Sequence, residues 1–294
     1  MTTAVLAATV LPAAGWRARE AAHEARADAL TAAHRERRAR HEKHPIEDFL
    51  YEYYGLRPAR LRRWQPGVGV ALEGAPERAA WRWHRELGDD GGAVGLDARA
   101  FLADRGEGVR WLHELLRRTA GRPAHLGCLG LHEWAMVYRQ EEHRHPLPLR
   151  LGQRGTDAVV EAHPVRCTHF DAFRFFTPAA RPLNRLQPER ATQLGMEQPG
   201  CLHANMDLLK TALKLGPAVP GGLLLDCFEL ARDIRVLDMR ASPYDVTALG
   251  HTPVAIETAP GRAEYVAQQR RFAERAEPLR ARLLAVTTAL LGAA

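Results

Sequence analysis

Apolar residues recur at intervals of three and four along most of the chain, with polar and charged residues between them. This spacing places the apolar side chains on one face of an α-helix, as Leu112, Leu115 and Leu116 illustrate. The pattern predicts helices over 16–43, 46–56, 107–120, 202–215, 223–237 and 261–291, one that begins near Leu131, and one that carries His169 and ends at Pro178.

Two segments depart from the helical spacing. Residues 143–167 contain Gly152, Gly155 and the β-prone sequence VVEAHPV, which together predict a small β-hairpin. Residues 252–258, with the sequence TPVAIET, predict a short strand.

The chain shows neither an internal repeat nor a linker. The glycine-rich sequence LGDDGGAVG at 87–95 predicts a loop within the chain. We therefore expect a mainly α fold, in which residues 16–294 form a single helical domain with a small β-hairpin and residues 1–15 form a flexible N-terminal arm.

Composition limits the classes of protein that fit this pattern. Of the 294 residues, 46% are hydrophobic and 26% are charged, which is typical of a globular chain. No apolar run reaches the roughly 18 residues that a membrane span needs, and the N-terminal segment lacks the basic start of a signal peptide. The four cysteines are widely spaced, which predicts reduced, buried thiols. We expect a cytoplasmic protein with no membrane partner.

Several enzyme classes lack their sequence motifs. The chain has neither G-x-x-x-x-G-K-[ST] nor G-x-G-x-x-G, and it has no G-x-S-x-G. The absence of these motifs argues against P-loop enzymes, kinases, Rossmann oxidoreductases and α/β-hydrolases.

Four segments combine a cysteine with acidic or imidazole side chains and an apolar run. They are CLGLHEWAMVYR at 128–139, CTHFDAFRFF at 167–176, CLHANMDLLK at 201–210 and DCFELARDIRVLD at 226–238. In the third segment His203 and Asp207 lie four residues apart, so on a helix they share a face and suit two ligands of one metal ion. The structural alternative is a solvated or capping Asp207.

The first and second segments admit two interpretations each. On a helix His132 and Glu133 point about 100° apart, so only one of them can face a pocket centrally, and Glu133 is then a candidate general base. His169 and Asp171 are functional candidates as well. A structural alternative is a capping box in which Thr168 caps the helix and Asp171 occupies its third position.

The fourth segment places Asp226, Glu229 and Asp233 on one helical stripe. This stripe is either the solvated side of an amphipathic helix or the edge of a cavity that the histidines share. Neighbouring carboxylates repel each other, so the stripe needs arginines or a cation nearby.

Together these segments predict one pocket walled by helices. One interpretation is a metal-dependent hydrolase or oxygenase with a small-molecule substrate and one or two ions of iron, zinc or manganese. Its ligands are His132, His169, His203, Asp207 and Asp226. Another interpretation is a non-catalytic DNA-binding or scaffold protein in which these groups form buried hydrogen-bond networks.

The segment RPARLRRWQPG at 57–67 is the main basic feature of a chain whose net charge is +6. Arg57, Arg60 and Arg63 recur every three residues and Trp64 follows them. Arginine suits phosphate oxygens, and an indole ring can stack on a base or insert into a duplex. Duplex DNA is thus a candidate partner, and a solvated basic loop is the alternative.

The chain resembles a family of actinobacterial proteins commonly labelled 3-methyladenine DNA glycosylase. The resemblance covers about residues 20 to 285. Its most distinctive parts are HPIEDFLYEYYGLRPARLRRWQPG, GCLGLHEWAMVYR, RCTHFDAFRFFTP, EQPGCLHANMDLLK and DCFELARDIRVLDMRASPYD.

The resemblance implies a DNA repair enzyme that flips an alkylated purine out of the duplex and hydrolyses its N-glycosidic bond with the help of a carboxylate. On this expectation Arg57, Arg60 and Arg63 hold phosphates. An aromatic pocket made by Trp134, Phe170 and Trp64 holds the base. The catalytic carboxylate is Asp171, Asp238 or Glu133.

Overall fold

The computed structural model describes residues 9–87, 92–143 and 145–293. Within these ranges the fold is mainly α, as the apolar pattern predicted, with eleven α-helices and one four-stranded sheet. The helices are α1 (Ala13–Ala39), α2 (Phe49–Tyr53), α3 (Pro58–Arg62), α4 (Ala98–Ala120), α5 (Leu131–Ala135), α6 (Gly152–Ala162), α7 (Phe170–Phe173), α8 (Gln193–Met196), α9 (Leu202–Leu215), α10 (Gly221–Arg240) and α11 (Ala259–Gly292).

Helices α9 and α10 form the centre of the core, and α11 packs against both of them and against α4. Leu209 of α9, Ile234 of α10 and Leu283 of α11 have no exposed surface. Helix α10 is buried on most of its circumference, which is expected for a central helix. Side chains of α9 and α10 that carry charge inside the molecule therefore need partners.

The sheet contains β1 (Thr9–Leu11), β2 (Val70–Glu73), β3 (His84–Leu87) and β4 (Ala93–Leu96) in the order β1-β2-β4-β3. Strand β1 pairs with β2 in parallel, and the other two pairings are antiparallel. Residues 9–15 thus belong to β1 and the start of α1, which corrects the expectation of a flexible arm over that part. Residues 1–8 of that arm lie outside the described residues.

The predicted hairpin at 143–167 is wrong, because residues 152–162 form α6. The buried residues Thr156, Val159 and Val160 are spaced by three and one, which is a helical face and not an alternating one. The observed hairpin is formed by β3 and β4, where the sequence predicted a loop over 87–95. Residues 88–91 of that loop, and residue 144, lie outside the described residues.

The strand predicted over 252–258 is also absent, since that segment has no strand pairing. Val254 and Ile256 are buried without pairing, just before Thr258 caps the start of α11 with its hydroxyl group. Within the described part of the chain, no helix is both long and apolar enough to cross a lipid bilayer.

Candidate functional site

Four side chains converge where α5, α9 and α10 meet. His132 and Glu133 come from α5, His203 from α9 and Asp238 from α10. One nitrogen or oxygen atom from each lies within 4.8 Å of the corresponding atoms of the other three. We call these four residues the inner cluster. Three of them are buried, and His203 has intermediate exposure.

A left-handed turn brings α5 against α10 and α11. Leu129 and Gly130 both have positive φ, and Gly130 precedes the first residue of α5. A Cβ atom at Gly130 would lie 3.2 Å from the ring of Tyr265 and 3.3 Å from Cβ of Ala241. Glycine therefore permits both the backbone conformation and the close approach.

Both His132 and Glu133 contribute to the inner cluster, which corrects the expectation that only one of them can face the pocket. Helix α5 has only five residues, and partners reach it from more than one side. His132 meets Asp238, whereas Glu133 is reached by the guanidinium of Arg235.

Arg235 holds the two carboxylates of the inner cluster. Its Nη1 donates to Glu133 Oε1 at 3.0 Å and to Asp238 Oδ2 at 2.9 Å. His132 Nε2 lies 2.8 Å from the other oxygen of Asp238, Oδ1. The guanidinium also stacks on Phe49, with its carbon 4.0 Å from the ring centroid. When both imidazoles are neutral, the two carboxylates and the one guanidinium give the group a net charge of −1.

The two histidines of the inner cluster differ in protonation. Burial opposes protonation of His132, but the charge of Asp238 and its hydrogen bond outweigh burial and place the pKa of His132 well above its usual 6.5. Burial and the positive charge of His132 lower the pKa of His203 to about 3. Burial alone would raise the pKa of Asp238, but His132 and His203 hold it well below 3.8. His203 is thus a neutral imidazole with a free electron pair.

A second group adjoins the inner cluster and consists of His169, Glu197 and Asp207; we call it the outer group. His169 Nε2 lies 3.4 Å from Asp207 Oδ2 and 3.5 Å from Glu197 Oε1. The ring of His169 stacks on that of His203, with centroids 5.4 Å apart. His203 in turn meets His132 edge to face at 4.4 Å. The three imidazole rings therefore contact one another in a row, with His203 in the middle.

Glu197 was not among the residues expected from the sequence. It follows the single-turn helix α8 in an irregular segment and has no histidine beside it in the chain. It is nevertheless only 3% exposed. In a segment without helical or strand periodicity, the sequence does not indicate whether an acidic side chain is buried or exposed.

An open cleft of about 620 Å³ lies beside the outer group and is separated from Asp207 by its lining residues Tyr54 and Lys210. Tyr54 and Lys210 line this cleft, and both donate to Asp207, at 2.8 Å and 3.2 Å. Asp171 also lines it and pairs with Lys210 and Arg174. The cationic residues of the cleft are Arg60, Arg105, Arg174, Arg190, Lys210 and Lys214. Among the described residues Asp171 is the one acidic residue of this lining, so the cleft carries an excess of positive charge.

The three arginines expected to bind DNA phosphates have different surroundings. Arg60 lines the cleft and donates to the carbonyl oxygen of Leu213. Arg63 stacks over Trp81, with its guanidinium carbon 5.3 Å from the ring centroid. Arg57 is exposed and does not line the cleft. Of the expected stripe, only Arg60 reaches the cleft.

Two of the three aromatic residues expected to hold a base belong to the interior. Trp64 is 6% exposed and stacks on Trp16. Trp134 has no exposed surface, and its Nε1 donates to the carbonyl oxygen of Ala241 at 2.8 Å. Neither ring is free to stack on a base or to insert into a duplex, so these two expectations are wrong. Phe170 lines the cleft.

Asp226 does not join the inner cluster, which corrects its place among the metal ligands. It pairs with Arg26 at 2.9 Å and with Arg282 at 2.7 Å. Asp233 of the same stripe pairs with Arg275 at 2.8 Å. The acidic stripe of α10 is therefore a salt-bridged surface, the plainer of its two interpretations.

The capping box at Thr168 is absent too. His169 occupies the N-cap position of α7, and no side chain caps that helix. The four cysteines are free, as expected. Cys128 contacts the inner cluster, with Sγ 3.5 Å from Nδ1 of His132.

Comparisons of the chain with protein-family models, with curated proteins and with solved structures found no match.

Proposed function

We propose that the protein is a metal-dependent enzyme whose ion binds to His132, Glu133, His203 and Asp238. The observation that carries this proposal is the convergence of two imidazoles and two carboxylates from three helices within 4.8 Å. Mixed imidazole and carboxylate donors suit zinc, iron or manganese. Metal ligation requires both imidazoles to be neutral, and a divalent ion would then offset the net negative charge that the two carboxylates and Arg235 leave.

The surroundings of the inner cluster suit a metal in two further ways. Arg235 donates hydrogen bonds to one oxygen of each carboxylate, Glu133 Oε1 and Asp238 Oδ2, and partners of this kind fix the orientation of metal ligands. His203 retains some exposed surface, although Leu202 and Ala204 on either side of it are buried. Space beside His203 would leave a coordination position for water or substrate, as catalytic metals require.

The cleft indicates what kind of substrate this centre would take. A bound ion of this type polarises a carbonyl or phosphoryl group, or lowers the pKa of a bound water. Lys210 and the five arginine and lysine residues with it would hold an anionic substrate. Tyr54 and Lys210 connect the cleft to Asp207, which supports a substrate position close to the histidines.

Elemental analysis by plasma mass spectrometry tests this proposal. The native protein is expected to contain near-stoichiometric zinc, iron or manganese, and His203→Ala to lose it. The control is His125→Ala, since His125 is exposed and lies outside the inner cluster. A metal-free native protein, or a His203→Ala variant with full metal content, contradicts the proposal.

We propose removal of alkylated purines from DNA as a second candidate function. It is favoured by one observation, namely that Arg60, Phe170 and Asp171 line the same cleft. The cations of the cleft would hold phosphates, Phe170 would stack on the flipped base and Asp171 would stabilise the positive charge on the sugar. Asp238 and Glu133 are less suited to this role, because both are buried and bound to Arg235.

Release of 3-methyladenine from methylated duplex DNA tests this second candidate. Asp171→Asn is expected to abolish release, and Asp245→Asn, a change at a half-buried residue that does not line the cleft, to leave it intact. Lys214→Ala should weaken DNA binding and flatten its dependence on salt. If no free base appears with the native protein, this candidate is rejected and the metal proposal is unaffected.

A further inference from the structure

The outer group has the form of a second metal site. We propose that a second ion binds among His169, Glu197 and Asp207, so that the centre is dinuclear. This inference rests on the proposed metal-dependent function and extends it, because two ions can clamp the attacking and leaving oxygens of a substrate.

Distances within the outer group suit metal ligands better than hydrogen bonds. His169 Nε2 is 3.4 Å from Asp207 Oδ2 and 3.5 Å from Glu197 Oε1. Hydrogen bonds from nitrogen to oxygen have lengths of about 2.7–3.2 Å. Two ligand atoms that bind one tetrahedral ion at about 2.0–2.2 Å lie roughly 3.3–3.6 Å from each other.

The imidazole ring of His169 is buried without a hydrogen-bond partner among the described residues. The residue is 1% exposed, and neither Nδ1 nor Nε2 forms a hydrogen bond with that part of the chain. A buried imidazole without partners is costly, and such groups in native proteins call for an explanation. Its Nε2 lies near one oxygen of each of two carboxylates, and a cation bound to Nε2 would supply the missing partner.

The charges of the outer group also call for a cation. Glu197 is 3% exposed, and the side chain of Asp207 is 13% exposed. The nearby ammonium group of Lys210 is shared between Asp207 and Asp171. Glu197 receives a hydrogen bond from the neutral side chain of Gln193. When His169 is neutral, as a metal ligand must be, one shared ammonium group leaves the two carboxylates of the outer group under-compensated.

Helix α9 joins the outer group to the inner cluster. His203 and Asp207 are one turn apart on α9, so the first belongs to the inner cluster and the second to the outer group. His203 lies between His132 and His169, with ring centroids at 4.4 and 5.4 Å. Two ions held in this way would be neighbours, and the one at Asp207 would be nearer the cleft.

Metal stoichiometry distinguishes one ion from two. The full-length apo protein is dialysed to equilibrium against Zn²⁺ or Mn²⁺, and bound metal is measured by plasma mass spectrometry. Two ions per chain are expected for the native protein, and one for Glu197→Gln, which preserves the shape of the side chain. Glu189→Gln serves as the control, since Glu189 is exposed and lies outside both groups.

Electron paramagnetic resonance of the Mn²⁺ form gives a second readout. Neighbouring ions produce an exchange-coupled spectrum, which should become that of isolated Mn²⁺ in Glu197→Gln and in His169→Ala. Glu197→Gln suffices if His169→Ala does not fold. One ion in the native protein, or two ions retained in Glu197→Gln, overturns the second site and leaves the proposed function standing. If no metal binds, both proposals fail, and His169 is then a protonated partner of the two carboxylates.

Discussion

His132 Nε2 and Asp238 Oδ1 lie 2.8 Å apart in the interior, although 106 residues separate them in the chain. Their side chains are 2% and 0% exposed. The contact joins the short helix α5 to the central helix α10, and Arg235 reinforces it through the second oxygen of Asp238. The candidate metal centre is thus built around a buried pair that also fixes the position of α5.

Asp238→Asn is expected to lower the free energy of unfolding by about 3–5 kcal/mol, because it leaves Arg235 and His132 with an uncompensated buried charge. Urea denaturation with a chelator present measures this change in the absence of metal. The control is Asp245→Asn, where the half-buried carboxylate accepts hydrogen bonds from Thr247. Equal stability of the two variants would contradict the role given to the buried pair.

Arg235→Lys is expected to weaken metal binding about 10- to 100-fold, since a single ammonium cannot reproduce the planar guanidinium that reaches both carboxylates and stacks on Phe49. Competition with a coloured chelator measures the affinity. Arg232→Lys, at the salt-bridged surface of the same helix, should bind metal as the native protein does. Unchanged affinity in Arg235→Lys would show that the guanidinium does not orient the ligands.

Asp48 is expected to contribute to stability in an acid-sensitive way. Burial would raise its pKa, but hydrogen bonds from His34, the backbone of His44 and Arg37 outweigh burial and place the pKa below the usual 3.8. With a depressed folded-state pKa, the contribution is complete above the unfolded value of about 3.9 and is lost as the pH falls through the folded value.

Melting temperatures recorded from about pH 6 down to about pH 2 check this expectation. The native curve should converge on that of Asp48→Asn as the acid limb is reached. Two curves that stay parallel over this window would mean that Asp48 ionises alike in the folded and unfolded states.

Trp64→Ala is expected to destabilise the fold by about 3–5 kcal/mol, because the indole packs with Trp16, Leu72 and Ala75 between α1 and the sheet. The variant that remains folded should bind duplex DNA, if the native protein does, with unchanged affinity. Thermal denaturation and fluorescence anisotropy measure the two effects. A specific loss of DNA binding at full stability would restore Trp64 as a contact residue.

The helical architecture could be predicted because apolar spacing is a local property of the chain. The prediction of α9 placed His203 and Asp207 on one face, and the structure has them on that helix. The hairpin at 143–167 was mispredicted because β-branched residues were weighed above the helical spacing of Thr156 and Val159.

The pairing of His132 with Asp238 is a long-range contact that no local pattern contains. One signal for Asp238 was present, however. It follows Cys227, Ala231 and Ile234 at intervals of four, three and four and so continues the apolar stripe of α10, whereas Asp226 shares the solvated stripe with Glu229 and Asp233. A carboxylate on an apolar stripe is the better candidate for an interior site, because it needs a partner there. Glu197 had no comparable signal.

Anomalous X-ray diffraction from crystals of the metal-loaded protein, recorded on both sides of the absorption edge of the metal, would locate the ion of the inner cluster. We expect a strong anomalous peak within about 2.0–2.3 Å of ligand atoms of His132, Glu133, His203 and Asp238. A metal-loaded crystal with no peak among these four side chains, or with its only peak at the protein surface, would contradict it.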